Sequence, residues 1–167
     1  MPGGGKSTVG RLVAKRLGVS FADADKAIES RERSTITAIF ERDGEDGFRR
    51  LEAEVLAELV STAGVVATGG GAVVRADNRE LLRTRTHCVY LRVPYETLMK
   101  RLRWDRKRPL MQVADPEQRV RELIAARHPL YLEAAAAVVD TTGLSLDQVV
   151  SAVVDSLPAE GYGRSRG

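Results

Sequence analysis

Apolar residues recur at helical spacing at Val9, Leu12, Val13 and Leu17, and Gly18 follows as a stop, so the pattern predicts a helix opening at Lys6. "VSFADAD" reads as a short strand ending in two acids. From Ala27 to Ala63 the pattern is helical and broken at "RDGEDG". The runs "GVVAT", "HCVYLRV" and "AVVDT" are continuously apolar and β-branched, as expected for strands covered on both faces. Helical patterns return from Pro94 to about Arg103 and over "PEQRVRELIAAR", where Pro129 is expected to disrupt the helix. A last helix begins at Ser145, with Gln148 placed for a capping box and Leu146, Val149, Val150, Val153, Val154 and Leu157 as its stripe. Strands alternating with helices predict an α/β fold with a largely parallel sheet. The polar, Gly-rich "PAEGYGRSRG" at the end is expected to be a disordered tail over 158–167, leaving one domain over 1–157.

Composition narrows the class without choosing a function. The chain has 167 residues, 43% apolar and 29% charged, which suits one soluble domain with a sizeable core. No apolar stretch approaches the roughly 20 residues that span a bilayer, and no signal peptide is legible, so a cytoplasmic protein is expected. The one cysteine, Cys88, lies in an apolar run and reads as structural. A net charge of +3 favours anionic small molecules or nucleic acid.

The chemistry begins at "MPGGGKSTVG". Gly5-Lys6-Ser7-Thr8 is the second half of the phosphate-binding loop G-x-x-x-x-G-K-S/T. Gly3, Gly4 and Gly5 let backbone N–H groups close around phosphate, and the helix that follows presents its positive end. Lys6 would reach the β- and γ-phosphates, and the Ser7 hydroxyl would bind Mg²⁺. In this motif the loop follows a buried strand, and the first loop glycine would fall before Met1. The expectation is therefore a sheet whose first strand, its central one, is missing from this chain.

Five other stretches carry candidates. In "FADAD", Asp23 and Asp25 stand two apart at a strand end, pointing the same way if the chain is extended. They could hold metal-bound water and deprotonate an acceptor hydroxyl, or cap a helix. In "GFRRLEAEVLAEL", Glu52 falls inside the apolar stripe, Arg49 at its edge, and Arg50 outside. That means either a held cation facing a ligand or a structural ion pair. In "RVRELIAARHPLY", Arg127 continues the stripe of Val120, Leu123 and Ile124 and needs an anionic partner; His128 reads as incidental. In "ATGGGAVV", Gly69, Gly70 and Gly71 leave backbone bare at a strand end, as a ligand wall would. Two inward arginines imply an acidic acceptor. The basic "KRLRWDRKRPLM" suits a mobile lid carrying an arginine onto phosphate better than a nucleic-acid patch.

In order, "GKST", "DAD", "FRRLE", "TGGGAV", "RPLM" and "RHPLY" resemble shikimate kinase, in the nucleoside monophosphate kinase branch of the P-loop fold, from Met1 to about Leu157. The resemblance implies a three-layer P-loop NTPase sandwich with a central parallel sheet. It implies an acceptor-binding segment over about 24–62 and a lid over about 104–116. The activity implied is transfer of the ATP γ-phosphoryl group to the 3-hydroxyl of shikimate, with Mg²⁺, in aromatic amino-acid biosynthesis. Lys6, Asp25 and Arg108 would then be catalytic. Asp25 would position the attacking hydroxyl, Asp23 would support the Mg²⁺ shell through water, and Arg49 and Arg127 would clamp the carboxylate. Glu52 would orient those arginines, and Gly69 to Gly71 would line the pocket. Arg108 would reach the phosphates, and Arg101 would pack on adenine beside Gly3 to Thr8. A monomer without nucleic-acid or membrane partners is expected. The rivals are a gluconate-type sugar-acid kinase and a non-catalytic P-loop protein binding shikimate or nucleic acid.

Overall fold

The computed structural model describes residues 3–62, 64–103 and 114–159. Arg108, Trp104 and nearly all of the expected lid lie outside them, as does most of the expected tail. Helix α1 spans Lys6–Leu17 and ends on Gly18, whose left-handed conformation (φ 69°) lets its N–H return to the last turn. Strand β1 is Phe21–Asp23 and runs directly into α2, Ala24–Glu32. Helix α3, Ile36–Val60, changes direction at Gly44 (φ 69°, ψ −178°), inside the expected break. Strand β2 (Val65–Ala67), a 3₁₀ turn (Ala72–Val74), α4 (Ala76–Arg85), β3 (Val89–Arg92) and α5 (Tyr95–Arg103) follow. Helix α6 is Pro116–Ala134, β4 is Ala137–Asp140 and α7 is Leu146–Asp155. The capping box of Ser145 and Gln148 opens α7 as expected.

The strands form two parallel pairs. β1 pairs with β2 (Ala22 opposite Val66), and β3 pairs with β4 (Tyr90 opposite Val138). Among the described residues β2 and β3 are not hydrogen-bonded to each other, so the parallel sheet, expected to lack its central strand, is present as two halves. Alternation along the strands nevertheless sorts both halves onto common layers. Val65, Val89 and Leu91 pack with Val9 and Val13 of α1 and with Val149, Val150 and Val153 of α7. Val66, Cys88 and Tyr90 face the other way, onto Leu56, Leu82, Tyr131 and Ala134 of α3, α4 and α6. Cys88 is partly buried and its thiol is pushed up to about 11 by desolvation, which fits a packing role. A third cluster, Ile28, Ile39, Phe48 and Val55, fastens α2 to α3.

Two expectations are corrected. Asp25 is not in extended chain, since β1 ends at Asp23 and Asp25 sits in the first turn of α2. The strand is cut short because Asp23 caps the helix, accepting from the backbone N–H groups of Asp25 and Lys26 at 3.1 and 3.3 Å. Pro129 does not end its helix, which runs on to Ala134. An internal proline costs about 3 kcal/mol. Tyr131 and Ala134, both buried in the second cluster, offset that, at roughly 1.5–3 kcal/mol for a large side chain.

Candidate active site

The phosphate loop is shaped by glycines whose backbone few other residues adopt. Gly3 (φ 73°) and Gly5 (φ 77°) are left-handed, and Gly5 is the N-cap of α1 with no side chain closing the helix end. The positive end of a 12-residue helix is thereby presented at the loop, as an anion site requires. Gly3 to Gly5 and Thr8 form one wall of a cavity of about 460 Å³, completed by Val93, Thr97, Arg101, Thr141, Leu144 and Leu146 among others. Arg101 lies over the loop, its Nη1 donating to the Gly3 carbonyl at 3.2 Å.

Lys6 and Ser7 serve the opposite side of the loop. The Ser7 hydroxyl donates to Asp23 Oδ2, tying the loop to the end of β1. Asp23 thus uses one oxygen to cap α2 and the other to meet Ser7. The carboxyl of Asp25 is raised above its ordinary value, first by burial and then by the Asp23 charge, with Lys6 and Arg49 pulling it back. A carboxylate held in that balance is suited to accept a proton from a bound hydroxyl.

Behind Asp25 the pocket is lined by the glycine triplet. A Cβ at Gly69 would come within 2.6 Å of Glu52 Oε1 and 2.7 Å of Asp25 Oδ1, so the two acids close on this bare backbone. A Cβ at Gly71 would run into the Arg49 guanidinium. Arg49 Nη1 donates to Glu52 Oε2 at 2.6 Å. Glu52 is buried, and desolvation raises its carboxyl despite Arg49 and Arg127. Arg127 Nη1 donates to the Gly70 carbonyl at 3.2 Å, so the two arginines meet adjacent residues of the triplet, Arg127 at Gly70 and Arg49 at Gly71. Arg49 Nε is buried with no hydrogen-bond partner among the described residues. A buried N–H of this kind is costly unless an acceptor arrives.

Hydrogen bonds, close approaches and charge coupling thus connect Lys6, Ser7, Asp23, Asp25, Arg49, Glu52, Gly69 to Gly71 and Arg127 in one cluster beside the phosphate loop. Arg108 lies outside the described residues. The sequence reading missed Tyr131, whose hydroxyl donates to the Gly70 carbonyl at 2.6 Å, and Asn78, buried and donating to the Ala72 carbonyl at 2.9 Å. Tyr131 falls four residues after Arg127, on the same face once the helix continues through Pro129.

The oxygens of Ser7 and Asp23 at the loop fit Mg²⁺, a hard cation that keeps water and phosphate oxygens and takes few protein ligands. Among the described residues no group of three or more His, Cys, Asp or Glu converges on one point.

A family model described as shikimate kinase matches residues 2–158. A shikimate kinase of Halorhodospira halophila is 48% identical over 159 residues, covering 95% of this chain and 90% of that protein. One from Cupriavidus pinatubonensis is 45% identical, covering 96% and 84%. Among solved structures, shikimate kinase from Acinetobacter baumannii in complex with shikimate superposes with a TM-score of 0.86. It is 44% identical, with 92% of this chain and 86% of that one covered.

Proposed function

The chain belongs to the shikimate kinase family, and from that premise we propose how its own residues carry the transfer of the ATP γ-phosphoryl group to shikimate. It is an ATP-dependent kinase of the P-loop fold acting on shikimate. The observation that carries the reading is the pair of arginines meeting Gly70 and Gly71, one bonded to a buried acid and one to a backbone carbonyl, with Asp25 between them and the phosphate loop. Two cations at a bare glycine wall suit a small carboxylate, and an acid next to the loop suits its hydroxyl.

ATP occupies the cavity walled by Gly3 to Gly5, Thr8 and Arg101, with its phosphates on the N–H groups that open α1. Lys6 neutralises the transferring group. Ser7, with Asp23 acting through water, would hold Mg²⁺, which would supply charge neutralisation on the phosphates. Arg49 and Arg127 take the shikimate carboxylate, and Glu52 fixes Arg49 in plane. That anchoring turns the 3-hydroxyl toward Asp25, which accepts its proton as the oxygen attacks in line. Gly69 to Gly71 let the ring approach closely. Arg108, from the lid, adds charge on the phosphates. One domain over 1–157 contains both substrates, with the acceptor segment at about 24–62, and it works as a cytoplasmic monomer without nucleic acid. In the described residues no helix is long and apolar enough to cross a membrane.

The test is ADP release with shikimate, with gluconate and with no acceptor. Turnover only with shikimate is expected. Turnover with gluconate alone, or equal ADP release without acceptor, overturns the assignment.

A further inference from the structure

The Gly70 carbonyl is held twice, by Tyr131 Oη at 2.6 Å and by Arg127 Nη1 at 3.2 Å. The two donors are one turn apart on α6, but their circumstances differ. Tyr131 is buried, its ring stacked on Tyr90 at a centroid distance of 4.9 Å, and its hydroxyl is pushed up to about 12 by desolvation. It stays protonated and stays in place. Arg127 is only partly buried, with its charge reaching Glu52 across the pocket. Arg127, which also meets the Tyr131 hydroxyl, is the less buried of the two donors and the one placed to turn toward a ligand, whereas Tyr131 is held by its stacking.

Resting on the reading of Arg127 as a carboxylate ligand, we propose that Tyr131 is a positioning residue that holds the Gly70 carbonyl while Arg127 turns from it to the shikimate carboxylate. Without Tyr131, the departure of Arg127 strands a carbonyl that has lost its protein donors, and the lost hydrogen bond is charged against substrate binding. With Tyr131, the carbonyl keeps its shorter bond and Arg127 leaves at little cost. The same bond fixes the wall itself. In a planar trans peptide the N–H of Gly71 points opposite to the carbonyl of Gly70. A carbonyl tied to α6 therefore turns the Gly71 N–H away from α6. Gly71 also abuts the Arg49 guanidinium, so a rotated peptide would disturb the other carboxylate ligand as well.

The test is a double-mutant cycle on shikimate affinity, measured by calorimetry alongside kcat and KM. Tyr131→Phe keeps the ring and its stacking and removes the hydroxyl that donates to the Gly70 carbonyl and meets Arg127. In the otherwise unchanged enzyme it should weaken shikimate binding about 3- to 10-fold, with a smaller fall in kcat. In the Arg127→Ala background there is no departure to compensate, so the same change should cost less than about 2-fold. Equal losses in both backgrounds would mean that Tyr131 only supports the fold, and would overturn the proposal. Normal shikimate binding by Arg127→Ala alone would instead sink the carboxylate reading on which it rests. If Tyr131→Phe does not fold, the unaltered protein answers by NMR. The Tyr131 hydroxyl proton should remain protected from exchange at saturating shikimate, and its faster exchange on binding would refute the handover.

Discussion

Arg49 Nη1 meets Glu52 Oε2 at 2.6 Å, in a pair whose side chains are only 12% and 2% exposed. The acid is raised above its ordinary 4.5 by burial first, with Arg49 pulling it down. In the window just above 4.5 the folded chain therefore holds a proton that the unfolded chain has released, and stability falls as pH rises through that window. Arg49→Ala removes the pull and leaves a buried acid alone, so the folded value climbs further. Its cost should be about 3 kcal/mol at pH 8, where the acid must ionise or take up a proton. It should be clearly smaller at pH 5. Urea unfolding at the two pH values checks this, and an equal penalty at both would mean that Glu52 does not sense Arg49.

Asp25 gives a prediction of activity. Its carboxyl is raised above 3.8, first by burial and second by Asp23. A base must be ionised to work, so kcat/KM for shikimate should fall as pH drops through a value above 3.8. Asp23→Asn keeps a side chain that can cap α2 but removes the neighbouring charge, and should move that acid limb to lower pH. Asp25→Asn should abolish the limb and lower kcat about 10²- to 10⁴-fold. An acid limb that survives in Asp25→Asn assigns the base elsewhere.

Lys6 separates chemistry from acceptor binding. On the proposed mechanism its charge serves the transferring phosphate, so Lys6→Ala should cost about 10²-fold or more in kcat. Shikimate affinity, measured without nucleotide, should change by less than about 3-fold, because Arg49 and Arg127 carry it. Turnover within a few-fold of the unaltered enzyme would remove Lys6 from the phosphate site.

Much of this site is legible in the sequence because it lies in local patterns. Gly5-Lys6-Ser7 opens an amphipathic helix, and Glu52 and Arg127 interrupt apolar stripes at helical spacing. What stayed hidden depended on contacts between distant segments. No local pattern says that Asp23 would bond Ser7 while capping α2, and that capping is what moves Asp25 from strand to helix. The assumption that Pro129 breaks its helix concealed Tyr131. A residue beyond a break is not on the face of Arg127, whereas in a continuous α6 it is the next position on that face. Proline's local penalty was read correctly, but the burial that outweighs it comes from strands and helices elsewhere in the chain. The separation of β2 from β3, by contrast, follows the sequence expectation, since a parallel sheet lacking its central strand is left as two pairs.

Gly69 provides the sharpest steric test. Its φ lies outside the left-handed range, so an added side chain meets no backbone penalty there. What the Cβ of alanine would meet is Glu52 Oε1 at 2.6 Å and Asp25 Oδ1 at 2.7 Å. Glu52 is pinned by Arg49, whereas Asp25 sits in the first turn of α2 and is held in part by charge. Asp25 is therefore the side chain that yields, moving off the line to the acceptor hydroxyl. Misplacing a base by about 1 Å commonly costs on the order of 10² in rate. Gly69→Ala should accordingly lower kcat by about that factor and raise the shikimate KM. The KM for ATP should move little, because the nucleotide cavity is walled by Gly3 to Gly5 and Arg101 rather than by Gly69. Steady-state kinetics with each substrate varied in turn decides it. A rise in the ATP KM matching that for shikimate would place the glycine triplet on the nucleotide side of the loop, against the division of the site drawn from this structure.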